Sequence, residues 1–364
     1  ADPTMQKGIF CCTLRSENES NNAMEESNMK KKALALVLAL AMSMALIACG
    51  QKDTPSNNAN DGQSGQTDFP QKSINVIVPW NAGGGNDIAA RELQPIFKDM
   101  FGVDLVIENV AGGSSAVGLT QAINSAADGY TVGFMTSTYI GLAAQGTVSS
   151  DFENDFDPIC LVMEDPIAIV AKKGTYETLA DFVEDAKTRP GEAIVALSNT
   201  FGTAPVYSAL LNESAGIDAQ NICYDSGSRC VTEVLGGHAD VACSNYTDFV
   251  DQIAAGEMVC LALCTEERAA SLPDVPTVNE CGYDIMSLGF LRQMSFMVAP
   301  DGLDDAVKAK LCELFQQACQ SDEYQEFAAG RSFASPAIVG DELTDIVNET
   351  YTGLKEAYDA YFAG

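Results

Sequence analysis

The sequence predicts an α/β protein of two parallel-sheet lobes around a ligand cleft, the second lobe inserted into the first. Three observations predict it. Short β-branched runs alternate with stretches of helical periodicity between Ser73 and Met135, and the same alternation restarts at Thr178 and continues to Leu263. Strands separated by helices at this spacing build βαβ units, whose strands lie parallel beneath a cover of helices. Two further apolar runs, residues 167–171 and 294–299, stand where the chain would leave and re-enter the first lobe, and are candidate crossover strands.

Residues 73–79 form the first strand through their Ile and Val content. Residues 87–100 follow as a helix, because Ile88, Ala89, Leu93, Ile96 and Phe97 recur at helical spacing. A second strand at 104–108, a helix at 115–126 and a third strand at 130–135 complete this series. In the second lobe, residues 178–188 are helical and end at Arg189-Pro190-Gly191. Strands at 193–197 and 221–224 flank a helix at 204–214. Residues 231–235 are helical and stop at Gly236-Gly237, since glycine just past a helix end adopts the left-handed turn at no steric cost. Strands at 239–243 and 258–263 close the lobe, and the tail is helical at 303–319 and 343–362. The expected division is 69–166 with 290–364 for lobe 1 and 167–289 for the inserted lobe 2.

The N-terminal region reads differently. Lys30, Lys31 and Lys32 precede an apolar run at 33–48, and small residues lead into Cys49. A positive segment, an apolar core and a small-residue cleavage point make a secretory leader at 29–48, and the run is short for a membrane span of about 20 residues. Leu46-Ile47-Ala48-Cys49 resembles the lipobox of bacterial lipoproteins, which implies cleavage before Cys49 and lipid on its thiol and new amine. Residues 49–68 read as a flexible tether, too polar to offset ordering entropy, and residues 1–28 as a non-native or disordered extension. This places the body outside the cell, lipid-anchored to the bacterial membrane, where capture of small molecules is favoured over metabolism.

The chain carries 51 acidic and 20 basic residues, a net charge of −31, which repels nucleic acid and anionic lipid. An anion site in such a protein needs locally concentrated donors. Of twelve cysteines, Cys11, Cys12 and Cys49 precede the body, leaving an odd, scattered nine that read as small buried hydrophobes rather than bridges. His238 is the only histidine, so neither a histidine metal site nor a nucleophile–base pair can be assembled, and no cofactor is implied.

Two loops carry the chemistry. Trp80, Ala82, Gly83, Gly84, Gly85, Asn86 and Asp87 lie between the first strand and the first helix. Glycines let backbone approach a ligand, and a helix start presents unpaired N–H groups to an anion at the carboxyl end of a parallel strand. Asp87 fits a cap or first-turn position. A dinucleotide fingerprint is excluded by Ile88 at the third small position and by Asp87 beside a pyrophosphate. Gly112, Gly113, Ser114 and Ser115 repeat the arrangement after the second strand, with hydroxyls that can donate. Two such helix ends side by side could hold one carboxylate with no basic side chain in either loop. Thr136 and Ser137 lie at the same edge. Arg292, near the return crossover, could pair with a distal carboxylate or brace the hinge against an acid. Trp80, the only tryptophan, is a candidate for the cleft wall.

These loops, together with Ala127-Asp128-Gly129-Tyr130-Thr131, Leu235-Gly236-Gly237-His238-Ala239-Asp240 and the Leu272–Tyr283 stretch, resemble the substrate-binding proteins of tripartite tricarboxylate transporters, the Bug-type receptors. The resemblance runs from about Ile74 to the end and implies a periplasmic-binding-protein fold, a carboxylate held by the first two loops partly through water, membrane transport subunits as partners, and no enzyme activity. In the inserted lobe it points to Asn199, Thr200, Thr203, Ser226, Gly227 and Ser228 as contacts for the variable end of the ligand. There the sequence departs from the family: residues 198–205 lack its Gly-Ser-x-x-His pattern, and Asp225 stands where lysine is common. Ser114 and Ser115 also replace glycines of the family's second loop. The expected function is capture of a small organic acid, a di- or tricarboxylate or related carboxylate, for a transporter. A ligand-binding subunit of a sensing system, or a secreted enzyme on a carboxylated substrate, are the alternatives.

Overall fold

The computed structural model describes residues 68–362, except Glu153 and Asp225. The leader, Cys49 and the tether up to residue 67 lie outside the described residues, as does the departure at Asp225. Among the described residues no helix is long and apolar enough to cross a membrane.

Lobe 1 is built on β1 (Ile74–Val78), β2 (Leu105–Asn109), β3 (Thr131–Thr136), β4 (Phe156–Glu164) and β10 (Met294–Pro300), in the sheet order β2-β1-β3-β10-β4. Ile74, Val76, Ile77 and Val78 are all buried, because helices cover both faces of this central strand; that is why it reads as a continuous apolar run. The covering helices include α1 (Gly85–Phe101), α2 (Ala116–Ile123), α3 (Ser137–Ala144) and, from the tail, α8 (Asp305–Cys319) and α9 (Asp322–Gly330). Lobe 2 repeats the plan with β5 (Ile167–Lys172), β6 (Ile194–Leu197), β7 (Gln220–Cys223), β8 (Val241–Asn245) and β9 (Met258–Leu263), in the order β7-β6-β8-β5-β9. Its helices are α4 (Leu179–Thr188), α5 (Thr203–Ala215), α6 (Gly227–Leu235) and the short α7 (Val250–Ala254).

Each sheet is mixed rather than wholly parallel. β10 runs antiparallel to β3 and β4, and β5 runs antiparallel to β8 and β9. These are the two strands expected to cross between lobes. Each instead belongs wholly to one sheet and is reversed because the chain enters it from the other lobe. The crossings themselves are Asp165-Pro166 and the segment that ends at Gln293.

Hydrogen bonds staple the crossings together. The Asp165 amide donates to the Gln293 carbonyl at 3.0 Å. Ser137 Oγ donates to the Arg292 carbonyl at 2.8 Å and accepts from the Met294 amide at 2.9 Å. Tyr207 Oη donates to the Leu291 carbonyl and accepts its amide. The last helix, α10 (Gly340–Tyr361), packs Leu343, Val347, Leu354 and Tyr358 into one core with Ile140 of α3 and Leu210 of α5. Tyr358 Oη both accepts the Gly202 amide at 2.7 Å and donates to its carbonyl at 3.1 Å.

Three elements carried little sequence signal. All eight residues of α3 are buried, so it has no polar face and no helical periodicity to read. β4 contains Pro158, which counts against a strand; its preserved pairing with β10 passes a register shift at that point. α9 is only nine residues long. The nine described cysteines carry no disulfide, and Cys160, Cys230, Cys243 and Cys264 are buried within the cores.

Gly141 marks how closely α3 approaches the inserted lobe. A Cβ there would lie 2.6 Å from the Gly202 amide nitrogen and 3.1 Å from Tyr358 Oη. Gly141→Ala is therefore expected to destabilise the fold by about 1–3 kcal/mol through overpacking, despite alanine's better helix propensity. Urea denaturation reads this directly, and a midpoint at or above that of wild type would contradict the close packing.

Candidate functional site

The carboxyl ends of β1 and β3 face the loops after β6, β7 and β8 across a cavity of about 560 Å³. Trp80, Ala82, Gly83, Gly84, Gly85 and Asn86 line it from the first loop. Gly83 has φ 86°, a left-handed turn that suits glycine. Gly84 caps α1 with no side-chain hydrogen bond, and Gly85 and Asn86 of its first turn line the cavity.

Asp87 is buried and turned away from that space. Its Oδ2 accepts the Gly83 amide at 2.8 Å, its Oδ1 accepts Asn109 Nδ2 at 2.9 Å, and Arg91 pairs with it at 2.9 Å. Burial alone would raise this carboxyl's pKa, but the hydrogen bonds from Arg91, Gly83 and Asn109 outweigh it and hold the group below the usual carboxylate range. Asp87 is thus the brace of the loop. Asn86 is partly engaged as well, its Oδ1 accepting Ser295 Oγ at 2.7 Å.

The second loop is placed differently from the expectation. Gly112, Gly113, Ser114 and Ser115 do not line the cavity. The amides of Ala116 and Val117 donate to the carbonyls of Gly113 and Gly112, so the start of α2 is satisfied by its own turn. The sheet order explains this: β2 is the edge strand beyond β1, whereas β3 lies on the side of the crossings. The second helix end at the cavity belongs to α3, through Thr136 and Thr138. Thr136 caps α3 without a side-chain hydrogen bond. Ser137, one residue on, points into the crossing described above and does not line the cavity.

From lobe 2, Asn199, Ser226, Gly227 and Ser228 line the opposite wall, whereas Thr200 does not. Thr203 is buried and donates to Gln293 Oε1 at 2.8 Å, joining α5 to the return crossing. Gly227 tolerates no side chain, since a Cβ would fall 2.0 Å from the Asp248 carboxyl. Arg292 faces a separate cavity of about 570 Å³ and pairs with Glu164 at 2.8 Å. It braces the crossing, the other of the two roles open to it.

Several lining residues lay outside the sequence expectation: Thr247, Asp248, Asp251, Gln293 and Arg331. Tyr246-Thr247-Asp248 follows β8 directly, so the rule that ligands gather at carboxyl ends of strands points to two of them. Arg331 follows the short α9 and had no such signal. Gly85 and Thr247 approach closely across the cleft, a Cβ on Gly85 lying 3.2 Å from Thr247 Oγ1.

Three polar atoms of this lining are buried without a hydrogen-bond partner in the protein: Trp80 Nε1, Thr136 Oγ1 and Asn199 Oδ1. Ser115 Oγ, below the second loop, is in the same condition. Each such group costs about 1–3 kcal/mol unless a ligand or water completes it. Among the described residues no group of His, Cys, Asp and Glu side chains could hold a metal ion.

Comparison with known proteins identifies the family and the fold. A family profile described as "Tripartite tricarboxylate transporter family receptor" matches residues 89–355. Protein BugT of Bordetella pertussis is 29% identical over 304 residues, covering 79% of this chain and 92% of BugT. MatC of Rhodopseudomonas palustris, solved with bound malate, shares the fold with a TM-score of 0.69 and 21% identity, covering 79% of this chain and 99% of that one. An R. palustris protein solved with adipate gives a TM-score of 0.74 at 20% identity, covering 81% of this chain and 98% of that one.

Two acids stand at this end of the cavity, Asp248 in its lining and Asp165 outside it. Asp165, buried at the first crossing, accepts Thr247 Oγ1 at 2.5 Å and the Thr247 amide at 3.3 Å. Burial pushes its carboxyl up to about 7; nearby Asp248 adds to this, and the bonds from Thr247 offset only part. Asp248 accepts Ser244 Oγ at 2.7 Å and is itself pushed up to about 6 by burial. The folded pKa of Asp165 thus exceeds its ordinary value of 3.8, and the folded state holds the extra proton between the two. The stability this brings is complete below 3.8 and lost as pH rises through about 7. Asp165→Asn should flatten the fall in melting temperature across that window. Parallel melting curves for variant and wild type would contradict the assignment.

Proposed function

The chain belongs to the tripartite tricarboxylate transporter receptor family, and we propose that it captures a small organic acid in the cleft between its lobes and delivers it to that transporter's membrane subunits. As a member of a receptor family it is a solute-binding protein rather than an enzyme. The observation that carries the reading is convergence: uncapped helix starts and buried, unpartnered polar atoms meet on one cavity between two lobes.

One carboxylate of the ligand takes the N–H groups at the starts of α1 and α3. A helix N-terminus behaves as roughly half a positive charge, worth up to ~2 kcal/mol where partly buried. Charge-assisted hydrogen bonds from backbone amides are short and strong, so the loops need no lysine or arginine. Thr136 Oγ1, Asn199 Oδ1 and Trp80 Nε1 gain partners when ligand or its water enters. Closure follows as rotation about the crossings at residues 165–166 and 291–293, and it is driven only by ligand that binds the closed form better than the open one. Lipid on Cys49 would hold the receptor at the outer face of the membrane, within reach of its partners.

A thermal-shift panel of organic acids that includes malate and adipate tests the reading, because a ligand of the native state raises its melting temperature, by about 2.7 kcal/mol of apparent stability at 100 times Kd. At least one acid should shift the transition. Thr136→Val and Trp80→Phe should each weaken its affinity about tenfold, as loss of a hydrogen bond to a charged group does, with an unchanged far-UV spectrum. Absence of any shift across the panel, or wild-type affinity in both variants, would remove the cleft from this role.

A further inference from the structure

Arg331 follows α9 and lines the cavity half-buried. Arg91, Arg189, Arg229, Arg268 and Arg292 each hold an Asp or Glu carboxylate at 2.5–2.9 Å. Among the described residues the guanidinium of Arg331 has neither an ion pair nor a hydrogen bond, in a chain with 51 acids for 20 bases. An arginine is left without a carboxylate here although carboxylates are abundant everywhere else. The other charged side chains of the described lining are Asp248 and Asp251, both from lobe 2.

We propose that Arg331 is the counter-charge for a second anionic group of the ligand, so that the site selects a diacid over a monoacid of the same shape. This rests on the function proposed above, in which the starts of α1 and α3 hold the first carboxylate. A second carboxylate brought into this space meets two acids on the inserted lobe and one cation. Its only favourable place is on Arg331, whose planar fork of donors matches a carboxylate in two-point contact. A half-buried guanidinium has already lost part of its water, so a ligand anion restores what burial removed. Without Arg331 the same carboxylate would face uncompensated like charge.

Calorimetric titration of the full protein with succinate, glutarate and adipate, each against its own monoamide, isolates one charge at constant shape. Wild type should bind at least one diacid tenfold or more tighter than its monoamide. Arg331→Gln should abolish that preference by lowering diacid affinity much more than monoamide affinity, and Arg331→Lys should keep part of it. Asp251→Asn should keep or increase the preference. Diacid and monoamide bound equally by wild type, or a preference surviving Arg331→Gln, would overturn the assignment of Arg331 and leave the receptor reading standing. Loss of diacid binding in Asp251→Asn to the extent seen in Arg331→Gln would overturn it too, making the arginine a latch between lobes. If wild type binds none of these acids or amides, the proposed function falls with the inference.

Discussion

The site depends on where Asp87 points. A carboxylate in the first turn of a helix ordinarily caps that helix and uses up its free amides. Asp87 instead reaches back to the Gly83 amide and sideways to Asn109 and Arg91. It holds the glycine loop in one shape and leaves the start of α1 uncapped. The contrast with α2 shows what this achieves. There no acid braces the turn, the carbonyls of Gly112 and Gly113 close on the following amides, and the helix start is satisfied from within. Two loops of similar composition therefore open onto differently satisfied helix starts, and Asp87 with its three partners sets the shape of one of them.

The same economy of contacts shapes the hinge. Only two crossings join the lobes, and side chains from both sides are fastened to them: Ser137 from α3, Thr203 and Tyr207 from α5, Arg292 to Glu164. Gln293 lies at the junction, its carbonyl bonded to the Asp165 amide and its side chain to Thr203, while it also lines the cavity. Occupancy of the cleft and geometry of the crossing thus share a residue. The acids Asp165 and Asp248 stand at this end of the cavity, where burial disfavours their charge.

How much of this was legible in the sequence follows from what each residue has to satisfy. β1 and α1 were readable because a strand buried on both faces and an amphipathic helix leave periodic marks, and the glycines between them announced a loop with a purpose. α3 leaves no mark, since a helix buried all round has no polar face, so the sequence places Thr136 and Ser137 at the edge without showing a helix start there. The loop at residues 112–115 reads as its equivalent because chain order cannot give strand order. β2 follows β1 in sequence but lies on the far side of it, away from the crossings. Arg292 and Arg331 illustrate the same limit. One lies beside a crossing and the other follows α9, and only the third dimension shows Glu164 beside one and the cavity beside the other. In lobe 2, Ser226, Gly227 and Ser228 line the wall because they follow β7, whereas Thr203 is drawn into the hinge by Gln293.

A net charge of −31 conflicts with the proposed capture of an anion only if charge is treated as uniform. At physiological salt, exposed charges are screened over about 8 Å, so the acidic surface acts mainly on the ligand's approach. What holds the ligand works at contact distance, where the medium is protein rather than water and each amide or guanidinium counts for more. A protein of this composition cannot rely on a general positive field and must concentrate its donors. Backbone N–H groups are the one kind of donor whose number does not depend on having basic residues, and two helix starts at neighbouring strand ends supply them without altering the balance of charge. Among the described residues, five arginines are tied to carboxylates, and Arg331 is the one basic side chain that lines the cavity.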